Sequence, residues 1–342
     1  MSSNTFLIDA QTRHQLYLQR LAGGNVNRVL PFLEDFRDEL RKQIGTGNTE
    51  IQAARLTELL RTVDGLVEGL SGSVSEQLRS DLKELAEYET GFQSRMLGES
   101  VNLDTVNPSA EQILAAVDNT PFRMLTGQTE QRFTVNEMVE QFTQSQKRSV
   151  RNMIRNGVVQ GRTTDEISRD IGRLVTGRSR QQAETLVRTS TNHIATVARN
   201  EVMRDNADIL DGERFIATLD ANTTLTCSGF DRERFEVGEG PMPPLHHGCR
   251  SVRAPIVKQQ YSVTDKSGQR ASRGPDGGQP VDARTTYNSW LNRQPAEFQD
   301  DVLGPKRAKL LREGVSVDRF TDDSGRVLSL DQLREREGLT LQ

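Results

Sequence analysis

"GERFIATLD", Gly212 to Asp220, marks the point where the hydrophobic period of this chain changes. Phe215, Ala217 and Leu219 alternate with Arg214, Ile216 and Thr218, the two-residue repeat of a strand with unlike faces. Upstream, from about Gln181 to Asn206, the apolar residues follow helical spacing instead. Downstream, "RERFEVGEG" (232–240) and "RSVRAPIV" (250–257) give two more short strands around turns rich in Gly and Pro. Residues 207–258 therefore read as a small antiparallel β unit appended to helices.

Moving toward the N-terminus, the pattern is helical. From Pro31 to about Met96, apolar residues recur three and four apart: Leu33, Phe36, Leu40, Ile44, then Leu56, Leu59, Leu60, Val63, Leu66, Val67, Leu70, then Leu78, Leu82, Leu85, Phe92 and Met96. This predicts two or three long amphipathic helices. Gly45 and Gly47 supply one break, and "GLSGSVSE" (69–76) a second, with Ser73 and Glu76 at capping-box spacing. The looser residues 98–128 mark a boundary. Regular helix then returns, with Thr134 and Glu137 as one capping-box pair and Thr163 and Glu166 as another.

Toward the C-terminus, residues 259–283 hold several Gly and Pro and few apolar side chains, and are expected to form a flexible connector. Tyr287, Trp290, Leu291, Phe298, Val302 and Leu303 then suit a compact helical module. The end reads as strand, turn, strand and a final helix capped by Ser329 and Gln332. The fold class is α+β. The expected domains are a mainly α-helical N-terminal region (1–128), a core of helices followed by the small antiparallel sheet (129–258), the flexible linker (259–283) and a small C-terminal module (284–342).

With 34% apolar and 5% aromatic residues over a length of 342, the chain is lean for a self-sufficient enzyme. An elongated protein with surface committed to partners is expected. The net charge of −4 leaves no whole-molecule attraction for DNA or anionic membranes, so such a role must be local. No stretch approaches 18 apolar residues and the first twenty lack a signal-peptide pattern, so a non-membrane, unexported protein is expected. Positive charge concentrates between Lys147 and Arg204. Arg148, Arg151, Arg155, Arg173, Arg178 and Arg180 belong to a stripe in which Arg replaces Lys almost completely, which suits carboxylate or phosphate partners. Internal ion pairing, an acidic protein and packaged DNA all fit it.

The chemistry-bearing stretch is "PPLHHGCRS" (243–251). The His-x-x-Cys step from His246 to Cys249 can turn two ligands toward one ion, Cys227 can return as a third, and His247 is the remaining candidate. Two thiolates and an imidazole favour zinc. Phe230 and Ser251 stand where paired cysteine steps would place further ligands, so a metal-free packing loop is the competing reading. A hydrolase reading, most plausibly a metal-dependent nuclease, would add Asp220 or Asp231 to the His pair.

These segments resemble the core domain of the Mu F-like head morphogenesis, or minor head, proteins of tailed bacteriophages. The resemblance rests on Arg188 and Thr189, Thr226 and Cys227, and Pro243, Pro244, Leu245, His246, Cys249 and Arg250; residues 284–342 are similar to a C-terminal module that accompanies this domain. It implies a structural, non-enzymatic protein of the virion head that assembles in the host cytoplasm. The procapsid, near the portal vertex or inside the head, is the implied place of action, with the portal protein and the major capsid or scaffolding protein as partners. Some relatives carry C-terminal toxic enzymes, but residues 287–342 offer no ordered set of His, Glu and Arg for such chemistry.

Overall fold

The computed structural model describes residues 2–45, 50–126, 129–263 and 268–338. Two long helices come first, α1 (Ser2–Ile44) and α2 (Ala53–Val101), followed by α3 (Ala110–Asn119) and the hairpin of β1 (Phe122–Thr126) and β2 (Thr129–Phe133). Next are α4 (Val135–Val159), α5 (Thr164–Leu174), one turn of π-helix (Val175–Ser179) and α6 (Arg180–Asp205). The small sheets and the helices between them are β3 (Leu210–Ile216), β4 (Leu219–Asp220), α7 (Leu225–Gly229), β5 (Arg234–Phe235), β6 (Val252–Val257), β7 (Gln269–Gly274) and β8 (Gly277–Asp282). The chain closes with α8 (Tyr287–Leu291), α9 (Ala296–Leu303), α10 (Pro305–Arg312) and α11 (Leu330–Glu337). This is the α+β class that the sequence indicates.

Two compact units share these elements: residues 1–19, 85–132 and 192–342 in one, and residues 20–84 and 133–191 in the other. Among its described residues the second is built mainly of helices, with one isolated bridge between Glu50 and Thr163. Most of its predicted core positions are buried, among them Leu33, Phe36, Leu40, Ile44, Leu59, Leu60, Val63, Val67, Leu70, Leu78 and Leu82, while Leu56 and Leu66 are half-buried. Both capping boxes form, Thr134 with Glu137 and Thr163 with Glu166. Where α4 and α5 meet, Gly157 is required by space: a Cβ there would sit 2.6 Å from the Ile167 side chain. Gly157→Ala is therefore expected to destabilise. The helix-propensity gain of about 1 kcal/mol is outweighed by an overpacking cost of about 1–3 kcal/mol. A midpoint in urea at or above wild type would contradict this.

Two expectations about the long helices change. Helix α1 starts at Ser2 and contains Pro31, rather than starting there. The interruption at Pro31 costs about 3 kcal/mol, but each of the buried aliphatics on the same helix, such as Val26, Val29 and Leu33, returns about 1.5–3 kcal/mol. Likewise α2 runs unbroken through residues 69–76, because Val67, Leu70, Val74 and Leu78 keep one buried stripe and outweigh the weak helix formers between them. The chain does break after Ile44, at Gly45; Gly47 lies outside the described residues.

In the other unit, β3 is the centre of an antiparallel sheet of order β5-β3-β6, with Phe215 opposite Arg253 and Ile216 opposite Val252. The register slips between Leu210 and Gly212. Gly212 has φ +125°, and a Cβ on it would meet the Phe235 carbonyl oxygen at 2.5 Å, so only glycine fits this bulge.

The expected connector over 259–283 is corrected in part: β7 and β8 form a hairpin whose pairing runs from Gln269 with Asp282 to Gly274 with Gly277, and β7 pairs in parallel with β4. "GPDG" (274–277) is turn chemistry, not disorder, and Arg270 on β7 is a buried anchor. Residues 264–267 of that stretch lie outside the described residues. The C-terminal helices bury Tyr287, Trp290, Leu291, Leu303, Leu311 and Phe320 together with Leu219 of β4. The predicted strand pair near the end is reduced to one bridge, Thr321 with Val327, and the Ser329–Gln332 cap on α11 forms as expected.

Candidate functional site

Cys227 sits on α7, a single turn whose start is fixed by Thr224, the side chain of which accepts from the Cys227 amide at 3.4 Å. Facing it is the loop 241–251, which lacks regular structure and is instead pinned at its carbonyls. Leu245 O accepts from the Leu125 amide of β1 at 2.8 Å, Cys249 O from Asn192 of α6 at 2.9 Å, and Arg250 O from Thr218 at 3.1 Å. A tight turn closes the loop through Cys249 N to His246 O at 3.1 Å. Arg253 on β6 holds the loop's entry by donating to Glu239 O and Pro241 O at 3.0 Å each.

These constraints bring together three of the four candidate ligands. The Cys227 sulfur lies 3.7 Å from the Cys249 sulfur and 3.3 Å from His246 Nε2, and the three donor atoms are all within 4.8 Å of one another. Both cysteines are buried and unbridged, in a pocket of Phe215, Ala217, Phe230 and Leu245. His247 stays outside the cluster; only its carbonyl oxygen takes part, 3.0 Å from His246 Nδ1. Phe230, in the place of a paired cysteine, is a core residue with its ring 5.7 Å from that of Phe215. Ser251, in the other such place, is buried and acts to lower the pKa of Cys227.

Electrostatics differentiates the two thiols. Burial acts to raise Cys249, but its hydrogen bonds to Cys227 and His246, and the His246 charge, outweigh burial and hold it well below the ordinary thiol range. Cys227 is pushed up by its hydrogen bond to Cys249 and by burial. Burial acts to lower His246, and the contact with Cys249 overcomes it, so the imidazole is raised.

The carboxylates of the hydrolase reading are occupied elsewhere. Asp220 is bound by both terminal nitrogens of Arg250, one at 2.8 Å. Asp231 is ion-paired with Arg270 at 3.0 Å and accepts from the amides of Ala217 and Tyr287 at 2.8 and 2.6 Å. No sequence pattern signalled these partners, which lie 30 and 39 residues from the aspartates they bind. A carboxylate locked between a guanidinium and two amides is poorly placed to act as base or metal ligand.

The arginine stripe separates into two kinds. Arg151, Arg173 and Arg180 are ion-paired with Asp64, Asp170 and Glu184. Arg148, Arg155 and Arg178 are exposed and have no carboxylate partner among the described residues. Among the described residues, no helix is long and apolar enough to cross a membrane.

No curated protein and no solved structure matches the chain. A family model does: residues 148–254, from α4 through the small sheet and including the Cys and His cluster, match the phage Mu protein F like proteins. Over this segment, about a third of its length, the chain is similar to the Mu F-like phage head-related proteins.

Proposed function

We propose that this chain is a minor structural protein of a tailed-phage head that acts while the procapsid assembles, beside the portal vertex or on the inside of the shell. The observation that carries this reading is the family match over residues 148–254. The side-chain chemistry supports a non-enzymatic role: Asp220 and Asp231 are committed to Arg250 and Arg270, so neither serves as a free carboxylate base beside His246. The portal protein and the major capsid or scaffolding protein are the partners this role calls for. Arg148, Arg155 and Arg178 are the groups available to an acidic partner or to packaged DNA, since none of them pairs with a carboxylate among the described residues. The reading expects the protein in the virion head, and in the host cytoplasm during assembly.

The experiment is deletion of the gene from the phage. Assembly should stall or yield heads of reduced infectivity, and quantitative proteomics of wild-type heads should find the chain in few copies. Heads of normal form and infectivity from the deletion would remove the role.

A further inference from the structure

We propose that Cys227, His246 and Cys249 together bind one zinc ion, with a solvent molecule as the fourth ligand. Around a tetrahedral zinc, with Zn–S near 2.3 Å and Zn–N near 2.0–2.1 Å, two sulfurs stand about 3.8 Å apart, and a sulfur and a nitrogen about 3.5 Å apart. The observed spacings are 3.7 Å between the sulfurs and 3.3 Å from Cys227 to His246 Nε2. A disulfide would bring the sulfurs to about 2.0 Å. Two of the three donor spacings thus match those of a tetrahedral zinc, and the third pair, Cys249 and His246, lies within 4.8 Å.

The outer contacts fit as well. His246 Nδ1 faces the His247 carbonyl at 3.0 Å, so it carries the proton and Nε2 presents its lone pair to the sulfurs. This is the arrangement that orients metal-bound imidazoles. Among the described residues the cluster has no fourth His, Cys, Asp or Glu. His246 is its least buried member, which leaves a side through which water can reach the ion. The soft donor set selects zinc over magnesium or calcium.

The consequence is a cross-link. Cys227 belongs to α7 and the other two ligands to the loop before β6, so the ion ties together, across about twenty residues of chain, segments that otherwise meet through a small apolar cluster. This inference holds independently of the role in head assembly.

The test uses the full chain, purified under reducing conditions. Elemental analysis after dialysis against zinc should give one equivalent per chain. Cobalt(II) in its place should give thiolate charge-transfer bands in the near ultraviolet and the intense visible bands of four-coordination. His246→Gln should weaken cobalt binding by more than about 100-fold, and Cys227→Ser and Cys249→Ser by at least as much. His247→Ala should leave affinity and stoichiometry unchanged. Because the cysteine variants sit in the core, His246→Gln is the deciding one: it should melt like the metal-free wild type and should not gain the rise in Tm that zinc gives the wild type. Substoichiometric metal in the wild type, a six-coordinate cobalt spectrum without charge-transfer bands, or equal effects of His246→Gln and His247→Ala would overturn the proposal.

Discussion

Replacing Arg270 with alanine should lower the unfolding free energy by about 3–5 kcal/mol, the range for one partner of a buried ion pair removed on its own. The Arg270 and Asp231 side chains are each 1% exposed and meet at 3.0 Å. The same guanidinium donates to the carbonyls of Thr285, at 2.7 Å, and of Ala217. Without it, those two carbonyls lose a donor and Asp231 is left charged in the interior, held only by the amides of Ala217 and Tyr287. The pair need not be stabilising overall relative to apolar residues; the cost comes from orphaning its partner. Arg180→Ala, at the exposed i,i+4 pair with Glu184, should cost about 0.3–0.5 kcal/mol and serves as the comparison. Urea unfolding of the three proteins reads the difference. A loss below about 1 kcal/mol for Arg270→Ala would mean that water reaches Asp231 in solution.

The same contact explains what the sequence could and could not reveal. Local signals were legible because their physics is local. The pairs Thr134 with Glu137, Thr163 with Glu166, and Ser329 with Gln332 satisfy orphan amides within one turn, and all three form. The switch of period near Asn206 is likewise local, and β3 and α6 appear around it, although Ile216 is as buried as Phe215 and β3 does not alternate in burial. The His-x-x-Cys step was visible as a possible ligand pair for the same reason. Cys227 joins it only because Asn192, Thr218 and Leu125, each distant in sequence, hold the loop carbonyls. Residues 259–283 were misleading in the opposite direction. Their Gly and Pro are as suited to a tight hairpin turn as to disorder, and what selects the hairpin is a charged side chain, Arg270, buried against residues 39 and 53 positions upstream. Helix α2 passes through "GLSGSVSE" because packing against partners outweighs propensity, and propensity is all that a local reading of such a stretch can supply.

Acid should destabilise this protein through His193 in particular. The ring sits on α6 with 3% exposure, its centroid 4.9 Å from that of Phe122. Burial pushes its pKa down from the ordinary 6.5 to about 4, and the bond to the Thr120 carbonyl offsets only part of that. Nε2 has no partner among the described residues, so a proton added there would be a desolvated charge. Above about pH 6.5 the folded and unfolded forms are both neutral at this residue and it contributes no slope. As the pH falls from 6.5 toward 4, the unfolded chain takes up the proton and the folded one does not, so stability is lost throughout that window. The gap between 6.5 and about 4, at about 1.4 kcal/mol per pH unit, corresponds to about 3 kcal/mol. His193→Gln removes the titration. The variant should be less stable than wild type at pH 7, where the ring's packing is lost, and should close that gap as the pH approaches 4. Denaturant unfolding between pH 7 and 4, with a chelator present so that metal release adds no slope, measures the two profiles. Parallel profiles would mean that the folded protein protonates His193 as readily as the unfolded chain does, which requires the centre of α6 to open to water.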